Sequence, residues 1–399
     1  MARDPVALVR AFNAGREPER LALKYRAMAN DPFAFLRGSC ALFYRDYAQA
    51  GVSIDSPAAW ISGDLHLENF GSYLDDERLA HFDLNDFGEA LLAPVDWELA
   101  RFLTSVLVAG ESLKLKPDEA LDLCNIFLAA YADTLLAGKV CKIDEDSAKG
   151  MVRDLLDDVR ERSNDAYLEE RTQISHGKRQ LRVDGEKALP ICAADREKVA
   201  MLIDAHAQTQ PDPKFFKLLD VARRIAGTGS LGIERYVLLV HGPGGNDLPA
   251  LLDLRHEPGS ALAQLCPLTQ PYWPSEAERV VSIQRRMQAA APAFLTALRS
   301  GERSYVLREL LPNQDRLKLE KWNGKFGRLE NVMRSMGRAL AWAQLRAADW
   351  RGSAGTVVLQ KFGAALPLQT TRLLEQSRSS AQQLLADWRA FREAHSGKE

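Results

Sequence analysis

The amino-acid sequence predicts a helix-rich α+β protein with two lobes. Its 399 residues exceed the usual size of a single hydrophobic core, so we expect more than one packed unit. Helical periodicity fills much of the chain, whereas residues 223–262 alternate strand-like runs with glycine-rich turns. No internal repeat is visible. Helical and strand-rich blocks in one chain favour an α+β architecture.

Composition indicates an ordinary globular protein, with 46% hydrophobic and 27% charged residues. A net charge of −2 predicts no nucleic-acid or membrane partner, although a local basic groove is compatible with it. The first residues, MARDPVALVRAF, lack an apolar signal core, and the five cysteines form no CxxC pair. We therefore expect a cytoplasmic enzyme, and make no prediction of its oligomeric state.

Four segments follow from the pattern: 1–110, 111–212, 213–315 and 316–399. The first combines the strand-like AAWISGDLHLENFGSYL and FDLNDFG with a helix after Pro94. The second contains a helix over 117–137, between Pro117 and Gly138, a polar helical stretch over 145–171 and a hairpin turn at Asp184-Gly185.

The third segment is expected to carry three strands and then a helix capped by Ser275 and Glu278. That helix is expected to run through a set of apolar residues at helical spacing, namely Val280, Ile283, Met287, Ala291, Phe294 and Leu298. The short strand SYVLRELLP follows. From about residue 317 the chain is predicted to be helical, with a break near RGSAGT.

A cluster of polar residues in the first segment is the main functional signal. Asp64 and Asn69 lie on a loop that leaves a strand, and Asp86 follows a half-buried strand. Oxygen donors such as Asn69 and Asp86 suit Mg²⁺, and Asp64 could then orient a hydroxyl nucleophile as a base. Each residue alone is equally typical of a turn. His66 could act in catalysis, but a hydrogen bond that braces the loop is the preferred interpretation.

A second signal is GTGSLG, in which Gly227, Thr228, Gly229, Ser230 and Gly232 form a complete G-x-G-x-x-G pattern. Glycines allow backbone N–H groups to approach a phosphate closely. A Rossmann motif would open a helix, whereas IERYVLLV reads as a strand, so the pattern favours a loop covering nucleotide phosphates as in kinases. A plain hairpin is the alternative.

The following strand supplies a cation, Arg255, where a kinase-type site would have lysine. Arg255 could neutralise phosphate and pair with Glu276 or Glu278; the alternative is an arginine on an edge strand. Arg37 could bind a phosphate, but pairing with a carboxylate such as Asp46 is slightly preferred.

GDLHLENF, FDLNDFG and VDWELAR together resemble the catalytic and metal-binding segments of aminoglycoside and choline phosphotransferases, in the protein-kinase-like superfamily. The resemblance implies a two-lobed kinase-like fold, with ATP and Mg²⁺ (or Mn²⁺) as cofactors. It also implies that Asp64 is the catalytic base, that Asn69 and Asp86 are metal ligands, and that Asp96 braces the loop.

Several segments across nearly the whole chain also resemble a bacterial family labelled domain of unknown function twenty-two fifty-two. They are KYRAMANDPFAFLRGS, GDLHLENFG, FDLNDFGEALLAPVDWELARF, AGTGSLGIERYVLL and ERVVSIQRRMQAA. The GDLHLEN loop precedes the glycine loop, the reverse of the kinase order, which predicts a circular permutation. Gln344 stands where this family tends to carry a histidine.

The leading hypothesis is phosphoryl transfer from ATP to a hydroxyl of a small molecule or a protein. Arg255 and Gln344 favour a second hypothesis, a pseudokinase-like nucleotide-binding or scaffold protein without turnover. A metal-dependent hydrolase built on Asp64, His66 and Asp86 is the third.

Overall fold

The computed structural model describes residues 3–51, 54–161, 164–243, 248–310 and 316–395. They form a mixed α+β protein, as the sequence predicts, and about 51% of the chain is helical. The helices are α1 Pro5–Phe12, α2 Pro18–Asn30, α3 Pro32–Gly38, α4 Cys40–Ala50, α5 Val95–Ala109, α6 Pro117–Ala137, α7 Met151–Glu161, α8 Asn164–Arg171, α9 Ala193–Ala207, α10 Glu276–Met287, α11 Phe326–Arg346 and α12 Thr356–His395.

The strands are β1 Ala58–Ile61, β2 Phe70–Leu74, β3 Ala80–Leu84, β4 Leu91–Pro94, β5 Thr172–Ser175, β6 Lys178–Leu181, β7 Ala188–Leu189, β8 Leu218–Arg224, β9 Arg235–Val240, β10 Ala250–His256, β11 Thr296–Ser300 and β12 Arg303–Glu309. Six of them form one antiparallel sheet in the order β11-β12-β10-β9-β8-β7. The pairs β1–β4, β2–β3 and β5–β6 form separate two-stranded sheets.

The six-stranded sheet has apolar residues on both faces at its centre. Along β9, Tyr236, Leu238 and Val240 pack in one core with α9, whereas Val237 and Leu239 pack in another core on the opposite face. This alternation is the period-two pattern of a strand buried on both sides. The glycine loop joins β8 to β9, so the sheet fixes where that loop begins and ends.

The largest core joins β1, β3, α5, α6, α10, α11 and α12. Helix α6 spans Pro117–Ala137 and ends at Gly138 in the left-handed conformation, which confirms the predicted helix and its end signal. It is the one described helix long and apolar enough to cross a membrane, but 56% of its apolar window is buried inside the protein. That burial is typical of the core helix of a soluble protein.

Two sequence predictions are wrong in detail. The helix capped by Ser275 ends at Met287, and Leu298 lies in β11 instead. Pro292 has no N–H to donate to the carbonyl oxygen of residue 288, and its ring would clash with that oxygen. The helix therefore cannot continue through Pro292, although apolar residues recur at helical spacing beyond it. Asp184-Gly185 makes a turn in which Gly185 N donates to Ala188 O, but the hairpin connecting β5 and β6 lies at His176-Gly177.

The predicted segment boundaries stay predictions. Strand β7 and helix α9 precede the boundary at 213, yet β7 pairs with β8 and α9 packs on the same sheet. The 145–171 stretch forms α7 and α8 in the residues described, and the helical C-terminal part is broken between Arg346 and Thr356, as expected.

Glycine 337 allows α11 to cross α6 closely. A Cβ at this position would lie 2.5 Å from the Phe127 carbonyl oxygen and 3.1 Å from the Tyr131 nitrogen, and neither backbone atom can move freely. We predict that Gly337→Ala lowers the free energy of unfolding by about 1–3 kcal/mol through overpacking, measured by urea denaturation.

Gly327→Ala in the same helix is the matched control. The nearest contact of a Cβ there is the Glu330 Oε2 atom at 3.8 Å, so helix propensity should raise stability by up to about 1 kcal/mol. Equal effects at the two positions would contradict close packing of α11 on α6.

Candidate functional site

The loop after β1 begins with a glycine that no other residue could replace without strain. Gly63 has φ 84°, and a Cβ there would lie 2.2 Å from the Glu89 carbonyl oxygen. Asp64 follows, with its side chain 21% exposed. The tight turn against Glu89 therefore directs Asp64 to the mouth of a cleft.

Asn69 joins this loop to the segment after β3. Its amide nitrogen donates to the carbonyl oxygens of Asp64 (3.1 Å) and Asp86 (3.2 Å), and its amide oxygen accepts from the Asp86 nitrogen at 2.7 Å. The side chain is buried. Three hydrogen bonds from one amide thus place Asp64 and Asp86 in the same site, as the spacing of the motif predicts.

Asp86 meets Arg255 across the cleft. The Arg255 Nη1 atom lies 3.0 Å from Asp86 Oδ1, and Arg255 Nε donates to Glu257 at 2.6 Å. Desolvation in the cleft would raise the pKa of Asp86, but Arg255, Arg308 and the N–H of Gly88 outweigh desolvation and hold that pKa well below its usual value. Asp86 is therefore a carboxylate at any physiological pH, and Arg255 pairs with neither Glu276 nor Glu278 among its described contacts.

Helix α5 supports the Asp64 loop through residues that sequence analysis missed. Glu98 accepts from the backbone N–H and hydroxyl of Ser62, each at 2.6 Å, and Ser105 Oγ accepts from Leu67 N at 3.2 Å. Arg101 donates to Asp64 Oδ1 from Nε at 3.1 Å and from Nη2 at 2.8 Å. Polar residues at positions 98, 101 and 105 of an apolar helix share one face, a signal that was available in the sequence.

Asp96 has other partners than the resemblance implies. Its carboxylate accepts from Tyr47 OH at 2.8 Å and Ser56 Oγ at 2.5 Å, and burial raises its pKa. These contacts attach the first turn of α5 to α4 and the segment before β1. In the described residues the Asp64 loop is held by Glu98 rather than by Asp96.

Gln344 lies behind the loop and not in the cleft. Its Nε2 donates to Glu98 at 3.3 Å, and its Oε1 accepts from the hydroxyl of Tyr131. The side chain is fully buried. Gln344 therefore completes a chain of hydrogen bonds that runs from α6 through α11 and α5 to Ser62.

His66 braces the loop, in agreement with the preferred interpretation. Its Nδ1 accepts from the N–H of Glu68 at 3.1 Å. Burial and the nearby Arg37 and Arg101 hold its pKa well below the usual value, so the ring is neutral. No described contact gives His66 the catalytic role that we also assigned to it.

The glycine loop closes one side of the cleft. Gly227 adopts φ 56°, and a Cβ on Gly229 would lie 3.9 Å from Asp64 Oδ2. The Gly229 carbonyl accepts from Arg16 Nη1 at 2.8 Å and from Lys24 Nζ at 3.0 Å. Gly227, Gly229 and Ser230 line the cleft, whereas Thr228 and Gly232 do not belong to its described lining.

The cleft holds more cations than carboxylates. Its charged lining consists of Arg16, Arg37, Arg224, Arg235, Arg255, Arg308 and Arg316, with Asp64, Glu68, Asp86, Glu89 and Glu257. The predicted pairing of Arg37 with Asp46 is wrong, because Arg37 pairs with Glu68 at 2.5 Å, and Asp46 pairs with Arg3. In the described part of the chain, no three His, Cys, Asp or Glu side chains are placed to hold a metal.

Fold and site together define an α+β protein with an arginine-rich cleft between a loop-bearing antiparallel sheet and a helical body. The family model described as "Uncharacterized protein conserved in bacteria (DUF2252)" matches residues 16–394. The chain belongs to this bacterial family, which confirms the family predicted from its motifs. No curated protein and no solved structure gives a reliable match.

Glu98 should make stability depend on pH. Burial raises its pKa to about 7 against the opposing hydrogen bonds from Ser62, whereas an unfolded chain has about 4.3. The contribution of protonated Glu98 is therefore complete below the unfolded pKa and is lost as pH rises through about 7. We predict that Glu98→Gln becomes more stable relative to the wild type between pH 5 and 8, by on the order of 3 kcal/mol.

Urea unfolding at several pH values measures this difference. Glu302→Gln, at an exposed position, is the control and should follow the wild type throughout. Parallel curves for Glu98→Gln and the wild type would show that Glu98 titrates alike in the folded and unfolded states.

Proposed function

We propose that this protein is an ATP- and Mg²⁺-dependent phosphotransferase that acts on a hydroxyl group of a small molecule or a protein. The carrying observation is that the glycine loop and the Asp64 loop, 165 residues apart at Gly229 and Asp64, line one cleft. Asp86 and Arg255 meet in the same cleft. Phosphoryl transfer needs mainly positioning and charge stabilisation, and these are the groups that supply them.

We infer a kinase-like fold with permuted chain order. Its support is the sheet, in which the glycine loop joins β8 to β9, Arg255 lies on β10, and α10 follows. The contact of Arg3 Nη1 with Asp387 Oδ1 at 2.7 Å brings the two ends of the described chain together. Neighbouring ends are what makes a permuted order physically tolerable.

In this proposal Asp64 accepts the hydrogen bond of the acceptor hydroxyl and orients it toward the transferred phosphoryl group. Arg101 fixes the carboxylate through Oδ1, which leaves Oδ2 toward Gly229. The loop N–H groups cover the phosphates, and Arg255 adds positive charge beside Asp86.

The donor atoms near Asp86 suit Mg²⁺. Asn69 Oδ1 accepts one hydrogen bond and retains a second lone pair, and Asp86 Oδ2 accepts none from a described residue. Two protein oxygens are what Mg²⁺ commonly takes when phosphate and water complete its shell. Bound there, the ion would neutralise charge on the phosphate oxygens.

The second candidate is a nucleotide-binding protein without turnover. It is favoured by the two hydrogen bonds that buried Arg101 donates to Asp64 Oδ1, because they occupy an oxygen that could otherwise face a substrate hydroxyl. A metal-dependent hydrolase gains no support, since His66 is buried with its Nδ1 on a backbone N–H.

We predict that ATP with Mg²⁺ raises the melting temperature of the wild type and that Asp86→Ala loses this Mg²⁺-dependent part. Asp64→Asn should retain the shift, because Asn69 holds the Asp64 backbone and not its carboxylate. Its phosphoryl transfer or ATP turnover should fall by roughly 10²-fold or more. Thermal shift and phosphate release measure the two effects.

Asp133→Asn, exposed on α6, is the control and should change neither readout. Mg²⁺-dependent binding with no turnover in the wild type would select the second candidate. Absence of any Mg²⁺·ATP shift would sink both candidates.

A further inference from the structure

Near the glycine loop, the face of the sheet that carries Val237 and Leu239 becomes charged, whereas the opposite face stays apolar. On β10, Leu252 and Leu254 pack in the core with α9, and the alternating Asp253 and Arg255 face the opposite way. Arg255 is opposite Arg235 of β9 in the strand register, and Asp253 is opposite Arg308 of β12. We call Arg224, Arg235, Arg255 and Arg308, which all line the cleft, the arginine floor.

The arginine floor has more positive charge than its carboxylate partners offset. Arg255 pairs with Asp86 and Glu257, but the other three arginines share Asp253. Asp253 pairs with Arg224 at 2.7 Å and with Arg235 at 2.5 Å, while Arg308 lies 3.5 Å away. One aspartate therefore serves three guanidinium groups. Burial, with Arg235 nearby, lowers the pKa of Arg224 to about 10 despite the pairing with Asp253. Uncompensated buried charge of this kind favours an anion.

Three apolar residues of the cleft also belong to an adjoining groove. Phe12, Ile233 and Pro258 line the cleft and also line the adjoining groove behind the glycine loop. None of the four floor arginines lines that groove as described. A flat aromatic base needs apolar contact, and the strand residues that line the cleft, which are all arginines, offer none.

We propose that the cleft recognises a polyphosphate chain, which lies on the arginine floor, and that a nucleoside contributes little to binding. This inference rests on the proposed phosphotransferase function and concerns which part of the donor is recognised. Arginine forks bind phosphate oxygens in pairs, so a chain of three phosphates can satisfy several of them at once. The shared chemistry is that of a nucleoside triphosphate and of free inorganic polyphosphate.

The test is a thermal-shift and calorimetric titration of the wild type with tripolyphosphate, ATP, adenosine and sulfate at matched ionic strength. We expect tripolyphosphate to bind within about tenfold of ATP, and adenosine and sulfate not to bind measurably. Binding should weaken as salt rises.

Arg308→Gln tests the floor directly, since Asp253 keeps its two closer partners in that variant. It should weaken tripolyphosphate binding roughly tenfold, the loss expected for one charge-assisted hydrogen bond. Arg299→Gln, exposed on neighbouring β11, should leave binding unchanged. A melting curve without ligand checks that each variant is folded.

Binding of adenosine but not tripolyphosphate, or binding of sulfate as tight as tripolyphosphate, would overturn this inference. Transfer from ATP under the same conditions would leave the phosphotransferase proposal intact. If neither ATP nor tripolyphosphate binds, both proposals fail. The titration of the wild type gives these answers even if Arg308→Gln does not fold.

Discussion

The site depends on the hydrogen bonds of the Asn69 side-chain amide. Backbone groups of two separate loops converge on it, and a buried amide that lost these partners would be costly. Asparagine suits the position because one side chain both donates and accepts. Aspartate could not donate to the two carbonyl oxygens, so the loop geometry itself demands an amide here.

Helix α5, which packs in the largest core, supports the Asp64 loop. Glu98, Arg101 and Ser105 each satisfy a group of the loop, and Gln344 links Glu98 to α6. Because the core holds these helices rigidly, it fixes the directions of these polar groups. An amide at position 344 is explained by this link alone, because Gln344 both donates to Glu98 and accepts from Tyr131. No contact with a ligand is needed to explain it.

Local sequence patterns were sufficient to predict much of the secondary structure. Residues of the candidate site could be predicted only where they belong to a short motif. The helix over 117–137 was predictable from Pro117 at its start and Gly138 at its end. The glycine loop was predictable from its G-x-G-x-x-G spacing. The helix predicted through Leu298 failed because amphipathic spacing persists past Pro292. Three arginines of the floor, Arg224, Arg235 and Arg308, were missed because only tertiary packing brings them to the cleft. Lys24, which donates to the Gly229 carbonyl, and the pairing of Arg37 with Glu68 were missed for the same reason.

Arg16 and Lys24 donate hydrogen bonds to the Gly229 carbonyl oxygen and so connect the glycine loop to the N-terminal helices. Nearby, Arg3 reaches Asp387, and Tyr25 packs edge-on against Phe391 at 5.6 Å between ring centroids. Contacts of this kind connect both ends of the described chain to the body that holds the glycine loop. Where an affinity tag is fused is consequently an experimental variable, and ligand affinities are best compared between proteins tagged at opposite ends.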